Sequence, residues 1–142
     1  MSRPAPKLRA AYQAFYTIPT RWKDNDAYGH MNNAEYLSVF DTALSYWMLE
    51  QGWALTGPEA LRFVVVESGC RYFAESGFPD VLHVGLRVGH LGRSSVRFEL
   101  GLFRNGEDVA SSAAFFVHVL TGPEGRPVSL PEGVRDALAA LG

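Results

Sequence analysis

The longest periodic pattern in the chain predicts an amphipathic helix that begins after Asn32 and ends near Gly52. Its apolar positions follow the spacing i, i+3, i+7, i+10 and i+11 and are occupied by Leu37, Phe40, Leu44, Trp47 and Met48. Asn32 followed three residues later by Glu35 has the form of a capping box, and a glycine is a suitable helix stop. We expect the rest of the chain to be organised around this helix.

Alternating patterns predict one strand before this helix and four after it. The first is short and lies around residues 16–18, and the others cover residues 62–73, 82–88, 96–102 and 109–120. The second strand is expected to bend at Gly69, and Asn105-Gly106 is a hairpin signal. The fifth is apolar on both faces and is therefore expected to be central. With a short helix after Pro131, the pattern predicts an α+β fold in which an antiparallel sheet is covered by one long helix.

The composition limits the classes of partner and compartment. A length of 142 residues fits one domain, and 13 basic against 15 acidic residues favour neither nucleic acid nor a membrane as a partner. The single cysteine, Cys70, excludes a disulfide within the chain and is expected in the core. Residues 1–12 are expected to form a mobile, flexible tail before a single domain at 13–142. No signal peptide or membrane span is evident, so a cytoplasmic location is expected.

Two carboxylates, Asp24 and Asp26, lie on the turn just before the long helix. Backbone N–H groups at a helix N-terminus have no intrahelical partner and carry partial positive charge, so this place can bind an oxyanion. Acidic residues also favour helix N-termini for structural reasons alone. The spacing by itself leaves both interpretations open.

A calcium loop is a further alternative for this turn. The 12-residue count of such a loop is matched at positions 1, 3, 6, 9 and 12 by Asp24, Asp26, Gly29, Asn32 and Glu35. Position 5 is Tyr28, however, which is not an Asp or Asn. The residues before Asp24 predict a strand containing proline, whereas a calcium loop needs a helix before it. The pattern therefore gives calcium little support.

The run from Asp24 to Tyr36 resembles the Asp-x-Asp-x-x-Gly-His-x-Asn-Asn-x-x-Tyr signature of acyl-CoA thioesterases similar to 4-hydroxybenzoyl-CoA thioesterase. That family has the hotdog fold, in which an antiparallel sheet of five or more strands wraps a long central helix. The resemblance implies that Asp26 is the catalytic carboxylate and that the backbone N–H of Asn33 polarises the thioester carbonyl. His30 is expected to assist, by a hydrogen bond to Asp26 or by contact with substrate. The helix cap Asn32 and Tyr36 are expected to lie against the substrate.

Coenzyme A carries phosphates, and residues 83–104 contain four arginines against one acid: Arg87, Arg93, Arg97 and Arg104 against Glu99. The turn Gly92-Arg93-Ser94-Ser95 resembles the family's coenzyme A contact region. We therefore expect Arg93 and Ser94 to bind the substrate, whereas charges on strands are normally only solvated. Glu67, on the second strand, is a weaker candidate for the catalytic acid.

These features predict an acyl-CoA thioesterase that hydrolyses a small acyl or aroyl thioester with Asp26 as nucleophile or general base. Neither a metal nor a separate cofactor is expected, because coenzyme A is part of the substrate. The absence of a Gly-x-Ser-x-Gly motif argues against a serine hydrolase. Alternatives are a non-catalytic hotdog protein that binds acyl-CoA or acyl carrier protein and, with less support, a hotdog hydratase. The resemblance also implies a homodimer or homotetramer with each active site between two chains.

Overall fold

The computed structural model describes residues 4–142 and contains one five-stranded sheet with two helices. The strands are Ala14–Pro19 (β1), Arg62–Tyr72 (β2), Val81–Leu91 (β3), Ser95–Arg104 (β4) and Ser112–Thr121 (β5), and the helices are Asn33–Glu50 (α1) and Glu132–Ala139 (α2). The strand order is β1-β3-β4-β5-β2, and every pair is antiparallel. The predicted α+β hotdog architecture, with one long helix and a short C-terminal helix, is confirmed.

The core lies between α1 and the inner face of the sheet. The buried face of the helix is wider than the predicted stripe and comprises Tyr36, Val39, Phe40, Ala43, Leu44, Trp47 and Met48. Leu37, which the pattern placed in the stripe, is only half-buried. Opposite the helix, β3 contributes Leu82, Val84 and Leu86, each 0% exposed. Burial of this apolar surface is the main force that holds the helix on the sheet.

The start of α1 confirms Asn32 as the helix cap but contains neither of the two hydrogen bonds of a capping box. Asn32 is the N-cap, and its Oδ1 accepts a hydrogen bond of 2.9 Å from the N–H of Ala34. The N–H of Asn32 donates to the backbone carbonyl of Asp24 at 2.8 Å, so it is not free for Glu35. The Glu35 carboxylate lies 3.8 Å from the guanidinium of Arg21 instead. The helix end near Gly52, which has φ of +82°, is as predicted.

β5 and β2 occupy different places in the sheet. β5 lies between β4 and β2, which confirms its central position. It begins at Ser112, later than predicted, because Val109 pairs instead with Leu8 in an isolated bridge. β2 is an edge strand with a bulge between Val65 and Glu67. The sequence pattern instead predicts a bend further along the strand, at Gly69.

The N-terminal segment that precedes β1 packs against the outer face of the sheet. The carbonyl of Lys7 accepts a hydrogen bond of 3.0 Å from the N–H of Ala110, and Tyr12 is only 7% exposed. Lys7 and Tyr12 belong to residues 1–12, which the sequence predicts to be a mobile tail. Residues 1–3 of that tail lie outside the described residues. The part next to β1 therefore makes contacts that a free tail would lack.

The short helix α2 packs Val134 and Leu138 into the same core as α1. The chain after it is fixed to β3, because the carbonyl of Leu141 accepts a hydrogen bond of 2.9 Å from the N–H of Val88. Within residues 4–142, neither helix combines the length and apolar character needed to cross a bilayer.

A buried histidine, His118, lies on the inner side of β5 and is 6% exposed. Its ring is surrounded by those of Phe63, Phe98 and Phe116, with centroid separations of 5.8, 5.2 and 6.1 Å. Neither ring nitrogen has a hydrogen-bond partner among residues 4–142. Burial lowers the pKa of His118 to about 4, so its imidazole is neutral at pH 7.

We predict that Gly85→Ala destabilises the fold by about 1–3 kcal/mol, the usual cost of overpacking. An added Cβ would lie 2.8 Å from Cβ and Cγ of Tyr12 and 2.9 Å from the ring of Phe15, so the N-terminal segment would have to move. Urea denaturation measures the change. The control is Gly106→Ala, where no atom lies within 4 Å. Equal stability of the two variants would contradict the close packing of Tyr12 on Gly85.

Candidate active site

The connection between β1 and α1 is closed by hydrogen bonds to Asp24, which is 3% exposed. Asp24 ends a short 3-10 helix, Trp22–Asp24. Its carboxylate accepts hydrogen bonds of 2.9 Å from both the backbone N–H and the guanidinium of Arg21. Its backbone carbonyl accepts the N–H of Asn32, the residue that caps α1. Asp24 therefore joins the beginning of the connection to its end.

The negative charge of Asp24 is paired with the guanidinium of Arg21. Burial acts to raise the pKa of this carboxyl, but the hydrogen bonds and positive charge of Arg21 outweigh it and hold the pKa below its ordinary value. Asp24 is therefore ionised at neutral pH and already paired. Of the two aspartates in the signature, only Asp24 forms an ion pair within residues 4–142.

Asp26 lies at the start of a tight turn between Asp24 and Asn32. Its N–H donates to the carbonyl of His30 at 2.8 Å, and its Oδ1 accepts the N–H of Tyr28 at 2.8 Å. Gly29, with φ of +82°, makes the turn possible, because L side chains rarely adopt this conformation. Within residues 4–142, Asp26 has no ion-pair partner, and its Oδ2 makes no hydrogen bond to protein. The turn thus fixes the carboxylate through one oxygen and leaves the other open.

An open cleft of about 600 Å³ brings Asp26 together with the start of α1. Four predicted site residues line it, namely Asp26, His30, Asn33 and Tyr36, with Tyr28, Met31, Tyr72, Phe73, Ala74 and Glu75 completing the wall. Asn33 is the first residue of α1, a position whose N–H has no intrahelical acceptor. A carboxylate and an N–H donor at the positive end of a helix therefore share one cleft.

The side chain of His30 contacts Glu75. It does not form the hydrogen bond to Asp26 that was one of the two expectations from the sequence. Its Nε2 lies 2.8 Å from a carboxylate oxygen of Glu75, and both side chains are largely exposed. Only the backbone carbonyl of His30 reaches Asp26. Glu75 was missed by the sequence analysis, because it follows β2 and meets the signature only when the sheet forms.

Two tyrosines that line the cleft, Tyr36 and Tyr72, are in contact with each other. The rings of Tyr36 and Tyr72 meet edge to face with centroids 4.9 Å apart, and the hydroxyl of Tyr72 donates to the carbonyl of Asn33 at 3.4 Å. Burial raises the pKa of Tyr36 and is also the main cause that raises the pKa of Tyr72 to about 12. Both phenols are neutral at pH 7. They give the cleft an apolar wall with hydroxyl groups.

The other three predicted substrate contacts lie outside this cleft. The side chain of Asn32 caps α1, and Arg93 and Ser94 lie in the β3–β4 loop. That loop is at the opposite end of the sheet from the cleft, and the ten residues of β4 span roughly 30 Å. Within one chain, the structure does not bring Arg93 to Asp26.

The β3–β4 loop is held by its backbone, which leaves the Arg93 side chain exposed. The guanidinium of Arg135, on α2, donates to the carbonyls of Gly92 and Arg93 at 2.9 and 3.0 Å. The carbonyl of Arg93 also accepts the N–H of Leu130 at 2.9 Å. The loop is thus fixed without using the side chain of Arg93.

The four arginines of residues 83–104 differ in what they contact. Arg87 and Arg97 both pair with Glu99, the latter at 3.2 Å. Arg104 pairs with a carboxylate three residues further on. Arg93 is the one of the four without an ion pair inside residues 4–142. It therefore has its charge available for an anion.

The remaining candidate residues from the sequence lie away from the cleft. Glu67 is exposed on β2 opposite Val117, and Cys70 is half-buried, with its thiol pKa raised by burial. No group of three or more His, Cys, Asp or Glu side chains within residues 4–142 is placed to hold a metal ion. Asp24, the first position of the calcium-loop count, is paired with Arg21. The described residues thus lend the calcium alternative no support.

Comparison with known proteins gives one family match. Residues 20–138 match the family model described as the thioesterase-like superfamily. No match was found among curated proteins.

Several solved structures are similar to this chain. The PA5185 protein of Pseudomonas aeruginosa strain PAO1 has 48% sequence identity and a TM-score of 0.90, with 97% of this chain and 96% of that chain covered. A thioesterase of Thermus thermophilus, solved in complex with coenzyme A and Zn, has 32% identity and a TM-score of 0.75, with 92% and 95% covered. Slr0204, a 1,4-dihydroxy-2-naphthoyl-CoA thioesterase of Synechocystis, has a TM-score of 0.80 with 88% and 94% covered. Its 17% identity shows a shared fold alone.

We predict that Asp24→Asn lowers the free energy of unfolding by about 1–3 kcal/mol near pH 7, because a buried charged hydrogen bond is lost. The folded-state pKa of Asp24 lies below its unfolded value, so its stabilisation is present above that unfolded value and is lost as pH falls through the folded pKa. The gap between wild type and variant should therefore shrink between pH 5 and pH 3. Urea denaturation at each pH measures it, with Asp136→Asn on the exposed side of α2 as control. A gap that stays constant to pH 3 would contradict this assignment.

Proposed function

Because the chain belongs to the thioesterase-like superfamily, we propose that it hydrolyses thioesters of coenzyme A with small acyl or aroyl groups, giving the carboxylic acid and free coenzyme A. The observation that carries this proposal is the shared cleft of Asp26 and the N-terminus of α1 at Asn33. Thioester hydrolysis needs a group that attacks or activates water and a donor that stabilises the oxyanion. The cleft contains one of each.

The proposed reaction does not depend on a general acid to protonate the leaving group. The leaving group is a thiolate, whose conjugate acid has a pKa of about 8.5, so it departs without prior protonation. Asp26 acts either as a nucleophile, forming a mixed anhydride that water then hydrolyses to release the acid, or as a base that takes a proton from the attacking water. In both routes the Asn33 N–H stabilises negative charge on the carbonyl oxygen, helped by the helix dipole.

Binding of the nucleotide part of coenzyme A is assigned to the β3–β4 loop. Arg93 is exposed, lacks an ion pair within residues 4–142 and lies on a backbone that Arg135 fixes. A guanidinium in this state suits a phosphate group. The Thermus thermophilus relative was solved in complex with coenzyme A, which supports a ligand of this class.

We further propose that the protein assembles as a homodimer or homotetramer through the exposed edge of β2. Three consecutive valines of this edge are about half or more exposed: Val64 at 48%, Val65 at 49% and Val66 at 61%. An apolar, unpaired strand edge favours pairing with a second strand. Because Arg93 and Asp26 lie at opposite ends of one sheet, a complete site then takes Arg93 from one chain and Asp26 from its partner.

A non-catalytic protein that binds acyl-CoA or acyl carrier protein is the second candidate, since the cleft would also suit binding alone. Assays of free thiol release on short, long and aromatic acyl-CoA substrates separate the two. Turnover above the buffer rate is expected. Saturable binding without thiol release would favour the second candidate.

We predict that Asp26→Asn reduces kcat about 100-fold or more, the scale expected for loss of a base or nucleophile. The fold should be unaffected, because the backbone hydrogen bonds of the turn remain. Thiol release measures kcat, and circular dichroism and substrate-analogue binding report folding and affinity. Asp136→Asn serves as the matched control. Wild-type turnover in Asp26→Asn would remove Asp26 from the mechanism.

We predict that Arg93→Ala raises KM for coenzyme A thioesters roughly tenfold, as expected for a lost charged hydrogen bond. KM for the matching pantetheine thioester, which lacks the nucleotide, should change little. Arg97→Ala, whose guanidinium is engaged by Glu99, is the matched control. Equal losses on both substrates would argue against a phosphate contact.

We predict that sedimentation at micromolar concentration gives at least a dimer, because a second chain can cover the β2 edge. A monomeric mass with full activity would exclude this assembly. To test site sharing, Asp26→Asn and Arg93→Ala chains are dissociated, mixed and assayed with a coenzyme A thioester well below KM. The mixed dimer should recover activity, since one of its two sites has both residues intact. No recovery despite demonstrated subunit exchange would contradict a shared site.

A further inference from the structure

The loop between β2 and β3 supports the tight turn of the candidate site. Residues 76–80 of this loop, the supporting segment, form hydrogen bonds to the turn at two places. The N–H of Phe78 donates to Oδ1 of Asn25 at 3.0 Å. The N–H of Met31 donates to the carbonyl of Ser76 at 2.7 Å. One bond lies before the candidate catalytic carboxylate in the chain and the other lies after it, so the segment holds the turn from both sides.

The supporting segment is itself fixed by residues that do not belong to the turn. Ser76 is 2% exposed, and its hydroxyl oxygen lies 3.2 Å from that of Ser111, next to β5. The carboxylate of Asp80 accepts hydrogen bonds from the N–H of Gly77 at 3.1 Å and from the side-chain amide of Asn105 at 3.0 Å. The segment therefore has anchors of its own and provides a fixed support for the turn.

Gly77 brings the supporting segment into close contact with the turn. A Cβ added at this position would lie 3.1 Å from the carbonyl oxygen of Gly29, 3.2 Å from Oδ1 of Asn25 and 3.3 Å from Cα of His30. These distances are shorter than ordinary van der Waals contact, so a side chain would push the segment and the turn apart by a few tenths of an ångström. The glycine thus allows the segment to lie directly against the turn.

Asn25 is the side chain through which the turn contacts this support. It is half-buried and directly precedes Asp26. Its partner Phe78 lies 53 residues further along the chain, so the local pattern gives no sign of the contact. Asn25 is not among the residues that line the cleft of Asp26. Its effect on a reaction in this cleft therefore acts through the position of Asp26.

We propose that Asn25 is a positioning residue for thioester hydrolysis. Its hydrogen bond to the supporting segment keeps the carboxylate of Asp26 in place relative to the N–H of Asn33. Catalysis depends on such placement, since a misplacement of about 1 Å can cost about 100-fold in rate. The catalytic part of this inference rests on the proposed function, whereas the support of the turn does not.

Asn25→Ala tests the proposal, because it removes the acceptor for the N–H of Phe78. It should lower kcat about tenfold, the effect of a displacement of less than about 1 Å, with KM within about twofold of wild type. Asn25→Asp keeps an acceptor oxygen and should recover most of this loss when assayed at about pH 8, well above the ordinary pKa of a carboxyl group. Thiol release from a coenzyme A thioester gives both constants.

Gly77→Ala tests the same contact from the other side and leaves the side chain of Asn25 intact. It should lower kcat about threefold or more without raising KM, since the added Cβ displaces the turn. The matched control is Thr42→Val, which removes the hydrogen bond of 2.8 Å from the Thr42 hydroxyl to the carbonyl of Ser38 on the exposed side of α1. This control should keep the wild-type kcat. If Asn25→Ala does not fold, wild-type kcat in Gly77→Ala overturns the proposal.

Amide hydrogen exchange measures the support of the turn without an assay of activity. The N–H of Asp26 is bonded to the carbonyl of His30 and reports opening of the turn. It should exchange about tenfold faster in Asn25→Ala than in wild type, the effect of one lost hydrogen bond. In Asn25→Asp and Thr42→Val the exchange rate should stay close to that of wild type.

Unchanged kcat in Asn25→Ala would overturn the proposal, whatever the exchange rate. So would a loss of kcat that Asn25→Asp does not recover, or a rise in KM as the main effect, which would indicate a role in binding. A wild type that hydrolyses no thioester would defeat the proposed function and the catalytic part of this inference. The exchange rates would then decide alone whether Asn25 supports the turn, and equal rates in wild type and Asn25→Ala would exclude it.

Discussion

The buried charge of Asp24 is the constraint on which the arrangement of the candidate site depends. A carboxylate that is 3% exposed is unfavourable unless its oxygens are hydrogen-bonded and its charge is paired. Arg21 meets both needs, and it does so only when the chain turns sharply after β1. The same turn brings the carbonyl of Asp24 to the N–H of Asn32. Asp26 lies between these two fixed points and takes its position from them.

The parts of this molecule that sequence predicts well are those determined by near neighbours in the chain. Strict alternation from Leu82 to Val88 places apolar side chains on one face of β3, whatever its partners are. The stripe of α1 and the glycine at its end are likewise local signals. The signature spans 13 residues and therefore brings Asp26 and Asn33 to one place through a single turn and helix start.

The features that sequence did not predict depend on distant parts of the chain that meet only after folding. Asp24 competes for the N–H of Asn32, so the side chain of Glu35 does not accept it although both residues of a capping box are present. Glu75 reaches His30 only because β2 ends beside the turn. The bulge at Val66 follows from pairing with β5 and has no mark of its own in the sequence. Each outcome was decided by tertiary contact rather than by local preference.

The attachment of α2 to the β3–β4 loop has a consequence for how this surface can change. Arg135 binds carbonyl oxygens of Gly92 and Arg93, and every residue type carries such an oxygen. Position 93 can therefore be occupied by a different side chain without releasing the loop from the helix. In the proposed function, recognition and support are carried by different atoms of Arg93, so a change of side chain there alters the proposed ligand contact at little cost in stability.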